Sequence, residues 1–164
     1  MIHYTITNSP IGKLLISQSN KGITHILFEY QILQFESIIK KKFPNQTIVR
    51  NDKSLTQTVL QLKEYFSGGR YFFNLALDFA MPPFHQKALD AVKKIPFGKT
   101  ISYSEIAERA GNIKAARAAG SANANNPIPI IIPCHRVLAS GRGLGGYAGG
   151  LKIKKYLLNL EGAL

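Results

Sequence analysis

Apolar positions alternate from the first residues of the chain: Ile2, Tyr4 and Ile6 share one side, which predicts a strand. Asn8-Ser9-Pro10 predicts a turn, Leu14 and Ile16 alternate again, Asn20-Lys21-Gly22 predicts a second turn, and the apolar run Ile26-Leu27-Phe28 follows. Together these predict a small antiparallel meander. The period then lengthens. Ile32, Phe35, Ile38, Ile39 and Lys42 recur at helical spacing until Pro44 stops them, and Leu55, Val59, Leu62 and Phe66 predict another helix that ends at Gly68-Gly69. Phe73, Leu75, Leu77 and Phe79 return to alternation and predict an extended segment. Residues 1–80 show no arrangement of reactive side chains and read as an α+β scaffold domain.

Pro82-Pro83 marks a boundary, and residues 81–164 form the second expected domain. Phe84, Ala88, Ala91, Val92 and Ile95 keep a helical stripe that Pro96-Phe97-Gly98 ends. Ser102-Tyr103-Ser104-Glu105 has the form of a capping box, in which a Ser hydroxyl and a Glu three residues on satisfy the start of a helix. Gly111 can supply a left-handed C-terminal turn, and Asn112 can cap a further Ala-rich helix from Ile113 to about Asn123. Helix, tight turn, helix is the outline of a helix-turn-helix. An Ala-rich second helix fits either close approach to a DNA backbone or tight packing in a core. Asn126-Pro127 and Pro129 predict an extended, rigid path into Ile130-Ile131-Ile132-Pro133. A glycine-rich loop from Gly141 to Gly146 lacks the Gly-Lys-Ser/Thr ending of a phosphate-binding loop. Leu151 to Leu160 predicts the last helix, with Gly162 just beyond Glu161.

An apolar fraction of 45% over 164 residues is that of a globular chain. No stretch approaches the roughly 18–20 uninterrupted apolar residues that span a bilayer, and the first residues carry no signal-peptide pattern. The charge is +12 and unevenly spread: nine basic and five acidic residues in 1–80, twelve and four in 81–164. A basic C-terminal half points to a polyanion partner, most simply nucleic acid; general solubility is the competing explanation.

The chain has one cysteine, Cys134, followed by His135. A single thiol excludes an intrachain disulfide, speaks against a cysteine-based zinc site and suits a reduced, cytoplasmic setting. His3, His25, His85 and His135 show no close metal-ligand spacing, so neither metal nor cofactor is expected. A thiol becomes a strong nucleophile only as thiolate, which a histidine base held by a carboxylate can generate. His135 and Glu161 are the available parts. Neighbours in an extended chain point apart, so a bridging water is the simplest link between Cys134 and His135.

Ile132-Pro133-Cys134-His135-Arg136-Val137 resembles the active-site motif of the O6-alkylguanine-DNA alkyltransferases (methylated-DNA–protein-cysteine methyltransferases). Tyr103, Ala115-Ala116-Arg117, Asn126-Pro127, Tyr147-Ala148-Gly149-Gly150-Leu151 and Glu161 fall in the family's order and spacing. The resemblance is dense from about Phe84 to Gly162 and mostly architectural before that.

The resemblance implies a ribonuclease H-like N-terminal domain and a winged helix-turn-helix-like C-terminal domain. It implies single-use transfer of an alkyl group from O6-alkylguanine, and from O4-alkylthymine, in double-stranded DNA to Cys134 after the nucleotide flips out. Within that scheme His135, held by Glu161, draws the thiol proton through a water. Asn126 orders the turn before the active-site segment, and Tyr103 donates a proton to N3 of the leaving guanine. The backbone at Cys134 and Val137 reads the guanine amino group, the Ala148 N–H faces O6, and Tyr147 and Arg136 complete the substrate site. Arg117 fills the gap in the base stack, with Ser104, Asn112, Ala115, Ala116 and Ser140 among the DNA contacts. The second helix enters the minor groove, with Ala115, Ala116 and Ala119 suiting a close approach. A monomer without cofactor or membrane partner is expected. Two departures matter. Some family members have Ser where this chain has Ala148, and some bind zinc through N-terminal cysteines that this chain lacks. Two other classes fit the bare residues: a non-enzymatic helix-turn-helix DNA-damage-binding protein and a Cys-His-Glu hydrolase.

Overall fold

A computed structural model describes residues 1–139 and 143–164 and divides the chain into two compact units, Met1–Phe79 and Ala80–Leu164. In the first, β1 (Ile2–Thr7), β2 (Leu14–Gln18) and β3 (Ile23–Phe28) form the expected antiparallel meander. A fourth strand, β4 (Ile48–Arg50), lies parallel to β1 and makes the sheet order β3-β2-β1-β4. The three-residue β4 is too short to show a period, so its apolar pattern carries no signal.

Glu29–Gln34 forms a 3-10 helix before α1 (Phe35–Lys42), so the single helical period from Ile32 covers two helix types. Ile2, Leu15, Leu27, Phe35 and Ile39 bury themselves together, with Tyr4, Ile32, Ile38 and Phe43 packed on them. At about 1.5–3 kcal/mol for each fully buried large aliphatic or aromatic side chain, this cluster contributes substantially to the unit's stability. α2 (Thr56–Phe66) follows a short 3-10 turn at Lys53–Leu55. The expected extended segment after Gly69 is tied down at isolated points rather than paired as a strand. Gln61 exchanges two hydrogen bonds with the Asn74 backbone. Ile23 N–H donates to the Ala76 carbonyl at 2.8 Å and the Asp78 N–H to the Ile23 carbonyl at 2.7 Å.

The second unit is mostly helical: α3 (Pro83–Lys93), α4 (Tyr103–Arg109), α5 (Ala116–Ala124) and α6 (Leu151–Leu160), with the two-residue strands β5 (Ile101–Ser102) and β6 (Val137–Leu138) paired in parallel. Ser102 Oγ accepts the Glu105 N–H at 3.1 Å, the expected N-cap of α4. At the other end Gly111 sits at φ +98°; its N–H reaches the Glu108 carbonyl and the Asn112 N–H the Ala107 carbonyl. This is a Schellman stop, and its left-handed residue favours glycine.

Two expectations need correction. α5 begins at Ala116, not Ile113, because Asn112 closes a turn instead of a helix: its Oδ1 accepts the Lys114 N–H and its carbonyl the Ala115 N–H. The approach to Cys134 is also not extended throughout. Ile130 adopts φ +75° and the Ile132 N–H returns to the Ile128 carbonyl at 2.9 Å, so the chain doubles back. A β-branched residue in that region stores about 1–3 kcal/mol of strain, held here by the burial of Ile128, Ile130 and Ile132.

Candidate active site

Asn126 builds the turn that delivers the active-site segment. Its Oδ1 accepts the Ile128 N–H at 3.0 Å and its Nδ2 donates to the Ile132 carbonyl at 2.8 Å. One amide thus spans both arms of the loop. Pro133 then starts a single 3-10 turn, Cys134–Arg136, in place of the extended run expected from the prolines. All three side chains of that turn are buried.

Glu161 organises the buried polar centre. It stands at the C-cap of α6, where the helix dipole disfavours an acid. Its Oε2 meets His135 Nε2 at 2.6 Å, and Arg136 grips both oxygens, Nε on Oε1 at 2.7 Å and Nη2 on Oε2 at 3.0 Å. The Gly98 N–H adds a fourth donor at 3.3 Å. Burial alone would raise the carboxyl pKa; the donors and positive charge of His135 and Arg136 outweigh it and bring it down to about 2. Glu161 is therefore a carboxylate at neutral pH, and Nε2 of a neutral His135 must carry the proton that it accepts. Burial, aided by the charges of Arg136 and Lys154, holds the imidazole pKa below its ordinary value against the pull of Glu161. The remaining nitrogen, Nδ1, is buried with no hydrogen-bond partner among the described residues. A neutral imidazole with a free lone pair is a base in waiting.

The Cys134 thiol has the opposite problem. Burial pushes its pKa up to about 11, despite the opposing effects of Asn126, Lys154 and Tyr147 nearby. At neutral pH it is a thiol, inert until its proton is taken. Tyr103 lies close, its phenol pKa raised by burial, lowered in part by Asn123 and raised again by Cys134. Gly145 sits at φ +71° where a Cβ would stand 3.0 Å from the Tyr103 hydroxyl, so only glycine lets this loop cover the phenol. The Tyr147 ring stands edge-on to His135 with centroids 6.5 Å apart.

Arg136 requires correction as a substrate contact. It is buried, its Nη1 donates to the Ile95 carbonyl at 2.6 Å, and its guanidinium lies 5.8 Å from the centre of the Phe97 ring. With its other nitrogens on Glu161, it is a clamp on the carboxylate. Val137 is also buried, and its carbonyl accepts Lys154 Nζ at 2.7 Å. Ala148 is exposed in the loop before α6.

On the helix pair, Arg117 and Asn112 are exposed, while Ser104, Ala115 and Ala116 are half-buried. Ala119 departs from the expected close-approach face: it is 1% exposed and, with Ala122, lies on the inward side of α5 where α3 and α4 pack. Ser140 lies outside the described residues.

Two residues at the centre have no place in the sequence reading. Lys154 is fully buried, its Nζ held by the Val137, Leu144 and Gly146 carbonyls, and burial lowers its pKa to about 8. A lysine spaced three and four residues from Leu157 and Leu158, on the apolar face of the last helix, is the signal that marks it. Asn123, also buried, donates Nδ2 to the Cys134 carbonyl at 3.1 Å. Among the described residues no cluster of three or more His, Cys, Asp or Glu can hold a metal ion.

A buried thiol next in sequence to a neutral histidine that a carboxylate holds defines a class of proteins equipped for base-assisted thiol chemistry. Known proteins narrow the class. Residues 2–79 match the ribonuclease-like domain of 6-O-methylguanine DNA methyltransferase, and residues 83–163 match the DNA-binding domain of the same family. The chain is 38% identical over 162 residues to the constitutive methylated-DNA–protein-cysteine methyltransferase of Bacillus subtilis, covering 98% of this chain and 96% of that one. It is 42% identical over 160 residues to the methylated-DNA–protein-cysteine methyltransferase of Methanosarcina mazei, covering 98% and 97%. The crystal structure of Mycobacterium tuberculosis O6-methylguanine methyltransferase superposes with a TM-score of 0.87 at 36% identity, covering 99% of this chain and 94% of that one. A structure of the M. tuberculosis protein in complex with DNA superposes at 0.83, again at 36% identity, covering 98% and 93%. The chain belongs to the methylated-DNA–protein-cysteine methyltransferase family.

Proposed function

We propose that this protein repairs DNA by direct reversal, moving the alkyl group of O6-alkylguanine to Cys134 in a reaction that each molecule performs once. The observation that carries this reading is the buried chain of donors and acceptors from Arg136 through Glu161 to His135, adjoining a protonated thiol. Glu161 orients the imidazole, Nδ1 takes the thiol proton through a water, and sulfur attacks the alkyl carbon as the proton leaves. The S–C bond forms as the C–O6 bond breaks, and the electron pair of that bond goes to the guanine. Tyr103 gives its proton to N3 of the departing base, so charge is met by a donor already in place. The thioether product has no easy return path.

The reacting carbon faces the partner base within a duplex, so the nucleotide must leave the stack first, at a cost of a few kcal/mol. Arg117, exposed on the first turn of α5, is the side chain suited to fill the gap from the minor-groove side. Asn112, Ser104, Ala115 and Ala116 line the same helix pair. The backbone of Cys134, Val137 and Ala148, with the Tyr147 ring, forms the base pocket. Ala148 offers only its backbone N–H toward O6. O4-alkylthymine is a second substrate of the same pocket. The protein acts as a monomer in this reading, and a single reduced thiol supports work in the cytoplasm. No helix among the described residues is long and apolar enough to cross a membrane. The N-terminal unit serves as scaffold and the C-terminal unit as DNA-binding and acceptor domain.

The test is to incubate the protein with duplex DNA carrying labelled O6-methylguanine and locate the label by peptide mass. One methyl per protein on Cys134 is expected, with none on Cys134→Ala. Repeated turnover would instead indicate a hydrolase, and DNA binding without any adduct would indicate a damage-binding protein. Arg117→Ala should slow repair of duplex DNA more than reaction with free O6-benzylguanine; equal losses would remove it from the stack.

A further inference from the structure

Asn123 is a buried polar side chain beside the thiol and the phenol that the scheme above leaves unused. It sits on α5 one turn after Gly120, and a Cβ on Gly120 would stand 3.9 Å from the Tyr103 ring. Both residues therefore face Tyr103 from the same side of the helix. A carbonyl oxygen only accepts, so the atom that Asn123 presents to the Cys134 carbonyl at 3.1 Å must be Nδ2. That fixes the amide's orientation. It leaves Oδ1 buried with no hydrogen-bond partner among the described residues, a cost that native interiors rarely accept without a compensating use.

We propose that Asn123 is a positioning residue for proton donation: one N–H of its amide holds the Cys134 backbone and the other faces the Tyr103 oxygen, which leaves the phenol's own proton free for the departing base. An acceptor at the same place would capture that proton and turn the hydroxyl away from the base. A donor forces the phenol to donate outward, and it also stabilises the charge that develops on oxygen as the proton leaves. The lowering of the phenol pKa by Asn123 has the sign of a donor facing the oxygen. The same amide joins the nucleophile's backbone to the proton donor, so the two ends of the displacement are set by one side chain. Gly145 closes the other side of the phenol, where a Cβ would meet its hydroxyl at 3.0 Å. Tyr103 is thereby confined between α5 and Gly145.

The inference rests on the proton-donor role of Tyr103, and a double-mutant cycle separates the two. Single-turnover methyl transfer from an O6-methylguanine duplex is measured for Asn123→Leu, Tyr103→Phe and the pair. Asn123→Leu should slow transfer about tenfold in the native background and less than about twofold in Tyr103→Phe. It should also raise the Tyr103 phenol pKa, followed by NMR of ring-labelled tyrosine against Tyr103→Phe as the blank. Asn123→Asp keeps the size but presents an acceptor. Measured against the native protein at the same pH, it should be slow at neutral pH and recover as the carboxylate is protonated, which a loss of packing would not do. Tyr103→Phe as fast as the native protein would defeat the proton-donor role itself. A slow Tyr103→Phe with an undiminished Asn123→Leu loss in its background, or an unmoved phenol pKa, would defeat the Asn123 inference alone. If Asn123→Leu fails to fold, the Asn123→Asp cycle and its acid recovery decide in the same way.

Discussion

Each unit buries one histidine, and the two differ chiefly in a neighbour. His25 lies in β3, 7% exposed; burial, with a smaller contribution from the Lys42 charge, lowers its pKa to about 4. His135 is fully buried. Both have an Nδ1 without a hydrogen-bond partner among the described residues, and both are neutral near pH 7. Only His135 has a carboxylate on its other nitrogen, which selects the tautomer and compensates the imidazolium that forms when the base takes a proton. His25 has positive charge nearby and no such compensation. Burial makes a histidine neutral; Glu161 makes one of them a base. Arg136 completes the difference, because a bidentate guanidinium keeps Glu161 ionised without protonating His135.

The sharpest way to erase this contrast is Glu161→Gln, which leaves His135, like His25, without a carboxylate charge to compensate its imidazolium. Transfer should fall by about 10²–10⁴, the range expected for a lost general base, in single-turnover assays. A loss under about tenfold would mean that the carboxylate does not support the base. Next in size is stability. Arg136→Met strands a buried carboxylate and should cost about 3–5 kcal/mol in urea unfolding of the second unit. The pair Arg136→Met/Glu161→Gln should cost less than Arg136→Met alone, since no uncompensated charge remains. Full additivity would contradict the clamp.

The lone histidine predicts a smaller effect that depends on pH. Its folded pKa, about 4, lies below the unfolded value of 6.5, so its contribution is complete above pH 6.5 and is lost as the pH falls through 4. The unfolded state takes up the proton that the folded state refuses, which amounts to about 3 kcal/mol across that window. Glu161 retains its contribution until the pH falls through about 2, so it does not share the window. Hydrogen exchange of β3 amides between pH 7 and 4 should record the loss, and His25→Leu should flatten it. An unchanged slope in that variant would place the proton uptake elsewhere. Smallest of all, Arg109→Ala removes an exposed pair with Glu105 at 3.2 Å and should change stability by less than about 0.5 kcal/mol, in contrast to Arg136.

The strands β1 to β3, the helix before Pro44, α2, α3 and the Gly111 stop were legible because period, breaker and cap agreed at each. β4 was not, being three residues long, and α5 began late because Asn112 served a turn as well as it would a helix. The turn at Ile130 was hidden because isoleucine rarely adopts a positive φ, and local propensity carries no trace of the burial that enforces it. At the site, Cys134, His135 and Glu161 could be proposed from the chemistry of the residues, and Tyr103 and Asn126 from the resemblance to the family. What pairs with what could not. Arg136 reads as part of the substrate site, and only the fold reveals that Glu161, 25 residues on, engages it. Lys154 and Asn123 were missed because both look like ordinary polar helix positions until the carbonyls that they meet are known.

The most direct test of a base-assisted thiol is the pH profile of single-turnover methyl transfer to Cys134. Held by Glu161 and kept below its ordinary pKa, His135 should be competent through the neutral range. The rate should therefore stay level from about pH 8 down to about 6.5 and fall only below that. A rate that instead climbs about tenfold per pH unit toward the thiol's own pKa, about 11, would show a thiolate formed without His135 and would contradict the mechanism.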